Sequence, residues 1–218
     1  MSKHLQADLE NLQRMILEMA GCVEEAVYAA TGALEKRDAE AAHRVIERDG
    51  EIDLFENAVQ EECLKILALH QPVAVDLRRI SAVLLISTDL ERMGDLAVDI
   101  AERAIAISQP PYPTIPDRLG SMTQRATQMV HKALGAFVHS DAEAAREIIR
   151  LDSEVDRDNE AIIAALIAEM KQSPDRIESG ISLFSAVRHL ERIADHATNI
   201  AEDVVYLVEG SMLRHKGE

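Results

Sequence analysis

The sequence predicts an all-α protein made of two tandem antiparallel three-helix bundles, with six long helices in all. Apolar residues recur at spacings of three and four, which is the helical period. Apolar residues make up 47% of the chain but aromatic residues only 3%, a composition typical of helix bundles. The chain also repeats itself, which predicts a duplicated unit. Seven residues recur 100 positions later: Leu90, Glu91, Arg92, Asp95, Ile100, Ala101 and Glu102.

Three helices are predicted in the first half of the chain. Each is supported by its apolar periodicity, and two have a start signal. Asp38 is a suitable N-cap for the second helix, and Pro72 opens the third. The predicted helices cover residues 5–36, 38–69 and 73–108.

A proline-rich linker separates the two halves. Four prolines within residues 109–116 preclude a continuous helix. The linker therefore divides the chain into a first repeat, residues 1–108, and a second repeat, residues 117–218. The second repeat follows the same plan, since DAEAAREII at 141–149 matches DAEAAHRVI 103 positions earlier. Its helices are predicted over residues 117–138, over 141–172 with Asp141 as the N-cap, and after Pro174.

Charge and composition exclude several functional classes. With 39 acidic and 23 basic residues the net charge is −16, which repels nucleic acid and anionic lipid and attracts cations and basic protein surfaces. No stretch approaches the roughly 20 apolar residues of a membrane span, and no apolar run suggests a signal peptide. Cys22 and Cys63 lack metal-like or redox-like spacing. We therefore expect a cytoplasmic protein without a nucleic-acid partner and without membrane insertion.

Acidic residues form rows on the predicted helices. At about 100° per residue, Glu91, Asp95, Asp99 and Glu102 fall within about 80° of one another. The second helix of each half also carries acids four residues apart. Carboxylates at i and i+4 can share a metal ion, and a second pair on a facing helix would complete an oxygen-rich site. The four pairs are Asp49 with Asp53, Glu91 with Asp95, Asp152 with Asp156, and Glu191 with Asp195.

Two interpretations of these pairs stay open. A single acidic pair is more typical of a solvated helix face, but recurrence in four places favours metal binding. A solvated face would interleave basic residues, and Arg92 is expected to point away from the acids. The alternative is a metal-free dimerising scaffold whose acidic rows dock a basic partner surface.

Enzymatic sites are not indicated. Di-iron carboxylate enzymes need two facing Glu-x-x-His pairs. Only Glu40 and His43 have that spacing, and their repeat counterpart has Arg146 in place of the histidine. His189 and His196 are expected to be hydrogen-bonded packing residues. The sequence contains no nucleotide-binding or ester-hydrolysis motif, so we expect no enzyme.

The repeated motifs resemble the PhoU family of phosphate-signalling regulators. The resemblance lies in DLERMGDLAVDIAE at 89–102, RHLERIADHATNIAEDVVYLVEG at 188–210 and PVAVDLRRI at 72–80. It implies two three-helix bundles and multinuclear iron or zinc clusters on E/D-x-x-x-D motifs; oxygen ligands also suit manganese or magnesium. By position, it implies a ligand set of Asp49, Asp53, Glu91, Asp95, Asp99, Asp152, Asp156, Glu191 and Asp195.

The resemblance also carries expectations about asymmetry and partners. Asn199 stands where the first half has Asp99, so the second site is expected to bind metal more weakly. The family resemblance implies a cytoplasmic negative regulator of phosphate uptake and of the phosphate-starvation response. Such a regulator connects a phosphate-transporter ATPase to a sensor histidine kinase, and a homodimer is expected.

Overall fold

A computed structural model describes residues 3–210 of the protein, so residues 211–218 of the predicted second repeat lie outside the described part. Within residues 3–210 the chain is all-α, as predicted, with one short 3-10 helix at Pro174–Arg176. The α-helices are α1 (Lys3–Lys36), α2 (Ala39–Glu47), α3 (Gly50–His70), α4 (Ala74–Ala106), α5 (Leu119–His139), α6 (Ala142–Gln172) and α7 (Ile177–Glu209).

The predicted second helix is interrupted, and this is where the observed helices differ from the expected six. α2 ends at Glu47 and α3 begins at Gly50. At the break the amides of Arg48 and Glu51 donate to carbonyls three residues earlier, at 3.2 and 3.0 Å, which is the 3-10 pattern. Glycine lowers helix propensity by about 1 kcal/mol relative to alanine. The position equivalent to Gly50 in the second half is Ser153, and α6 runs through it without a break.

Both predicted aspartate N-caps are present in the structure. The Asp38 carboxylate accepts a hydrogen bond from the amide of Ala41 at 2.9 Å. The Asp141 carboxylate accepts from the amides of Glu143 and Ala144 at 3.1 and 3.0 Å. These bonds satisfy backbone donors that a helix start leaves unpaired, so the two caps start α2 and α6 at equivalent places.

α4 and α7 form the centre of the molecule and run antiparallel. His196 of α7 contacts Asp89 of α4 at 2.7 Å, and His189 lies 3.7 Å from Asp99. Residue numbers therefore increase along α4 in the direction in which they decrease along α7. α1 and α3 pack on α4, whereas α5 and α6 pack on α7. Their buried side chains form one hydrophobic cluster that continues across both halves. The duplicated units therefore share a core.

The proline-rich linker is attached to both halves. Arg37, at the end of the first helix, donates a hydrogen bond to the carbonyl of Pro113 at 2.7 Å and lies 5.3 Å from the ring centre of Tyr112. On the other side, the Thr114 amide and hydroxyl donate to Glu169 of α6 at 3.0 and 2.9 Å. Among the described helices, none is both long enough and apolar enough to cross a membrane.

Candidate metal centre

The first carboxylate cluster consists of Asp49 and Asp53, at the start of α3, with Glu91 and Asp95 of α4. Burial raises the pKa of Asp49, and the neighbouring carboxylates of Asp53 and Asp95 raise it further. Burial likewise raises the pKa of Glu91, followed by the charge of Asp95. The structure therefore brings two predicted pairs from two helices close enough to repel one another.

The close approach of α3 to α4 determines how near the two acidic pairs of this cluster lie to each other. Gly94 of α4 is buried, and a Cβ atom built on it would lie 2.9 Å from Cδ1 of Ile52 of α3. Asp53 directly follows Ile52, and Asp95 directly follows Gly94, so the contact sets the distance between the two acidic pairs. The absence of a side chain at Gly94 is what lets the larger Ile52 pack there.

The second carboxylate cluster consists of Asp152 and Asp156 of α6 with Glu191 and Asp195 of α7. Burial, followed by the charges of Asp156, Asp195 and Glu191, raises the pKa of Asp152 to about 6. The pKa values of Glu191 and Asp195 are also raised, first by desolvation and then by neighbouring carboxylates. This cluster is thus more strongly perturbed than the first, where Asp49 and Glu91 show the raised values.

Arginines partly neutralise both clusters, which corrects one expectation. Arg92 does not point away from the acids of its own helix. Its Nε lies 3.5 Å from Glu91, and its Nη1 donates a hydrogen bond to Asp95 at 3.3 Å. In the second half Arg188 donates to Glu191 at 2.9 Å. Because Arg92 is 58% exposed, it can leave the carboxylates at little cost.

Asp99 and Asn199 lie at the contact between α4 and α7, one helical turn beyond Asp95 and Asp195. The nearest ion-pair contact of Asp99 is His189, 3.7 Å away. The Asn199 amide donates to Asp89 at 3.3 Å. Asp99 was expected to be a ligand of the first site, and Asn199 to weaken the second. These contacts test neither expectation, and both stay predictions.

The two histidines of α7 are hydrogen-bonded packing residues, as predicted. His196 contacts Asp89 at 2.7 Å, and the Ser185 hydroxyl lies 3.1 Å from Nε2 of His189. Burial lowers the pKa of His189. Both side chains are about four-fifths shielded from solvent, at 18% and 19% exposure. They join the two halves.

Glu56 was missed by the sequence reasoning. Its charge raises the pKa of Glu91, after the effects of burial, Asp95 and the opposing Arg92. The Thr88 hydroxyl donates to it at 3.1 Å. Its position was detectable, because Glu56 follows Asp49 by seven residues and Asp53 by three, and so lies on the same face of α3. The equivalent residue in the second half is Asn159, which carries no charge.

The donor chemistry of both clusters suits hard cations. Carboxylate oxygens are preferred by magnesium, calcium and manganese, and iron and zinc also accept them. Within residues 3–210, no three His, Cys, Asp or Glu side chains stand close enough together to hold one ion as they are oriented. Metal binding would therefore require side chains such as Asp53 and Asp156, which are exposed, to turn inward.

The fold and the site together define a class: an all-α protein of two fused helical repeats, each with one carboxylate cluster at equivalent positions. The chain belongs to the PhoU family, because the PhoU domain model matches it twice, over residues 16–104 and 119–204. The two matches coincide with the two repeats on either side of the linker.

Relatives of known name support the same assignment. The chain is 40% identical over 220 residues to a protein of Pseudomonas aeruginosa named phosphate-specific transport system accessory protein PhoU homolog, covering 99% of this chain and 90% of the relative. It is 35% identical to the phosphate-specific transport system accessory protein PhoU of Serratia marcescens, covering 100% and 91%. These are accessory proteins, and the family is not one of enzymes.

Solved structures match over nearly the whole chain. The crystal structure of PhoU from Pseudomonas aeruginosa superposes with a TM-score of 0.89 at 38% identity and covers 94% of this chain and 99% of that one. The phosphate transport system regulatory protein PhoU from Streptococcus pneumoniae gives a TM-score of 0.90 at 29% identity, covering 97% and 100%. The fold described above is therefore the fold of the family.

Proposed function

We propose that this protein is a cytoplasmic negative regulator of phosphate uptake and of the phosphate-starvation response. In this proposal it acts as an adaptor, as a homodimer, between the ATPase of a phosphate transporter and a sensor histidine kinase. The names of its relatives support the link to phosphate transport. We further propose that the two carboxylate clusters bind metal ions such as iron, zinc, manganese or magnesium.

The observation that carries the metal proposal is the recurrence of one unfavourable arrangement in both halves. Each pair of carboxylates gathered within a few ångströms repels by about 1 kcal/mol, even when partly solvated. In the second cluster this repulsion adds to burial and raises the pKa of Asp152 to about 6. Four acids in each half create a negative site that a cation would stabilise.

A bound cation would supply positive charge to each cluster and join its two helices. Asp152 and Glu191 are the less exposed members and would hold their positions, whereas Asp156 would turn toward the ion. Because α3 and α6 would then be tied to α4 and α7, occupancy would stiffen the outer helices against the central pair. A partner that contacts these outer helices would be sensitive to occupancy.

Metal analysis and thermal unfolding of untagged protein test this proposal. An ion that binds the folded protein alone adds about 2.7 kcal/mol at a hundredfold excess over Kd. Iron, manganese or zinc should therefore raise the melting temperature relative to EDTA. The variant Asp95→Asn/Asp195→Asn should lose part of that rise, while its metal-free form becomes slightly more stable.

A matched control separates the clusters from general charge. Glu102→Gln/Glu202→Gln removes two charges from the same two helices outside the clusters and should keep the full metal effect. The single variants compare the two sites: a smaller loss in Asp195→Asn than in Asp95→Asn would fit the weaker second site expected from Asn199, and a larger loss would fit the stronger desolvation of the second cluster. Identical melting shifts in wild type and the Asp95→Asn/Asp195→Asn variant would refute metal binding at these clusters.

The regulatory part has its own test. Deleting the gene should leave phosphate-starvation genes expressed in phosphate-rich medium, and complementation with the wild-type chain should repress them again. Unchanged expression in the deletion strain would contradict the regulatory proposal, whatever the metal experiment shows. Pull-down from cells grown with and without phosphate would identify whether the kinase, the ATPase or both are bound.

The alternative is a metal-free scaffold whose acidic rows dock a basic partner surface. The intrahelical pairing of Arg92 with Glu91 and Asp95 favours it, because part of the repulsion is already relieved. This alternative predicts purified protein without stoichiometric metal. It also predicts that Asp95→Asn/Asp195→Asn weakens partner capture while the melting temperature is insensitive to EDTA.

A further inference from the structure

A cavity of about 480 Å³ lies in the first half, between α1, α2, the start of α3, and α4. Small-molecule sites are typically clefts of about 300–1,000 Å³ with a largely apolar lining and a few polar groups. The floor of this cavity is apolar and small, and the exposed ring of Tyr28 stands at its rim. The floor residues include Ala26, Ala29, Gly32, Ala33, Val45 and Val98.

The second half has an equivalent cavity of about 410 Å³ between α5 and α6. Its lining repeats that of the first cavity 103 positions later, so Gly135 takes the place of Gly32. The charges, however, have diverged. Three basic residues of the first cavity are replaced in the second by other types: Lys36 by His139, Arg44 by Glu147 and Arg48 by Leu151.

Basic residues of the first cavity differ in whether they are already paired. Arg48 is held by Glu25 and Glu51 at 3.0 and 3.2 Å. Lys36 and Arg44 are exposed, and neither has a hydrogen-bond or ion-pair partner among residues 3–210.

The two remaining acids of the cavity lining are Asp38 and Asp49. Asp38 accepts a hydrogen bond from the amide of Ala41 at the start of α2. Asp49 belongs to the first carboxylate cluster. Lys36 and Arg44 are therefore the two cations at the cavity edge that no carboxylate of residues 3–210 pairs with, and they are available to hold an anionic group.

We propose that the first-half cavity binds a small organic anion of about mononucleotide size. Its apolar or planar body would lie on the small-residue floor beside Tyr28, and its negative group would be held by Lys36 and Arg44. The volume fits one small molecule. The cavity also borders the break between α2 and α3, because Arg48 and Asp49 line it. An occupant would thus contact the helix on both sides of the 3-10 turn. This proposal does not depend on metal binding.

Isothermal titration of the full chain tests the proposal with three probes: 8-anilinonaphthalene-1-sulfonate, AMP and ADP. We expect at least one of them to bind wild type saturably, with one molecule per chain, and to bind equally well in EDTA. Gly32→Leu should block the cavity, because a Cβ on Gly32 meets open space. Lys36→Gln/Arg44→Gln removes the two unpaired charges and should weaken binding about tenfold or more.

The duplication supplies matched controls. Gly135→Leu fills the second cavity at the equivalent position, where a Cβ also meets open space. Lys132→Gln/Lys171→Gln removes the same net charge from the second half. Both controls should leave probe binding unchanged, and leucine in place of glycine should not lower the melting temperature, because leucine has the higher helix propensity.

Three results would overturn the proposal. They are no saturable binding of any probe to wild type, binding that survives Gly32→Leu, and binding that falls equally in the first-half variants and in their second-half controls. If the protein instead binds an acidic peptide that none of the small probes displaces, the proposed occupant is also wrong.

Discussion

Packing between α3 and α4 gives a quantitative prediction about Gly94 and Ile52. A Cβ added at Gly94 would lie 2.9 Å from Cδ1 and 3.2 Å from Cγ2 of Ile52. In Gly94→Ala the helix propensity improves by about 1 kcal/mol. Overpacking of a dense core costs about 1–3 kcal/mol. The variant should therefore be less stable than wild type by about 1 kcal/mol.

The partner variant removes the atom that causes the clash. Ile52→Val deletes Cδ1, the nearest atom, and on its own should cost about 1 kcal/mol. In the double variant the clash is relieved, and the gain in helix propensity offsets the lost methyl group. We therefore expect the double variant to have nearly wild-type stability, whereas simple addition would predict a loss of about 2 kcal/mol.

The second half already contains the combination that the double variant creates. Ala194 stands at the position of Gly94, and Val155 at that of Ile52, and both are fully buried. The mirror experiment, Val155→Ile with and without Ala194→Gly, should show the same coupling in reverse. Urea unfolding of each set of variants at neutral pH measures it, and 1 kcal/mol corresponds to about 2–4 °C in melting temperature for a chain of this size. Strictly additive losses would refute the packing argument.

Two further predictions concern charged groups. Burial opposes ionisation of Glu169, but hydrogen bonds from Arg176 and Thr114 outweigh it and hold its pKa below the usual 4.5. Ionised Glu169 therefore stabilises the fold above pH 4.5, and this contribution is lost as pH falls through the lower folded-state pKa. Glu169→Gln should be less stable than wild type at pH 7 by about 1 kcal/mol. In urea unfolding, the difference in free energy between the two proteins should disappear in acid. A difference that stays constant with pH would contradict this account. The second prediction concerns Asp158, which is 4% exposed and accepts hydrogen bonds from two arginines. Asp158→Ala should therefore lower the free energy of unfolding by about 1–3 kcal/mol. As a control, Glu160→Ala should change it little, because Glu160 is exposed.

Elements with a local cause were predictable from sequence. The N-caps at Asp38 and Asp141 require only a short polar side chain before an amphipathic run, and both form the expected bonds. The prolines of residues 109–116 exclude a helix whatever their surroundings. The break before Gly50 was not predicted, because a single glycine in a periodic segment is usually tolerated.

Among the candidate site residues, likewise, only the features that a single helix determines were predictable from sequence. Periodicity placed Glu91 and Asp95 on one face, and the structure brings them to the pair on α3. The same periodicity placed Asp99 in that row, but the antiparallel contact with α7 puts its carboxylate near His189. Helical spacing states which residues share a face to within about a quarter turn. It does not state which neighbouring helix covers the edge of that face.

The sequence by itself determined the all-α class, the duplication, the linker and the family. Each of these depends only on the spacing and identity of residues within single segments. Only the tertiary structure decided which acids meet, how Arg92 is oriented, and that Asn199 faces the other half. These depend on α4 and α7 packing antiparallel at the centre, with Gly94 admitting Ile52. The physical reason is that a side chain's partner across an interface is set by the register and approach of two helices, which no single helix encodes.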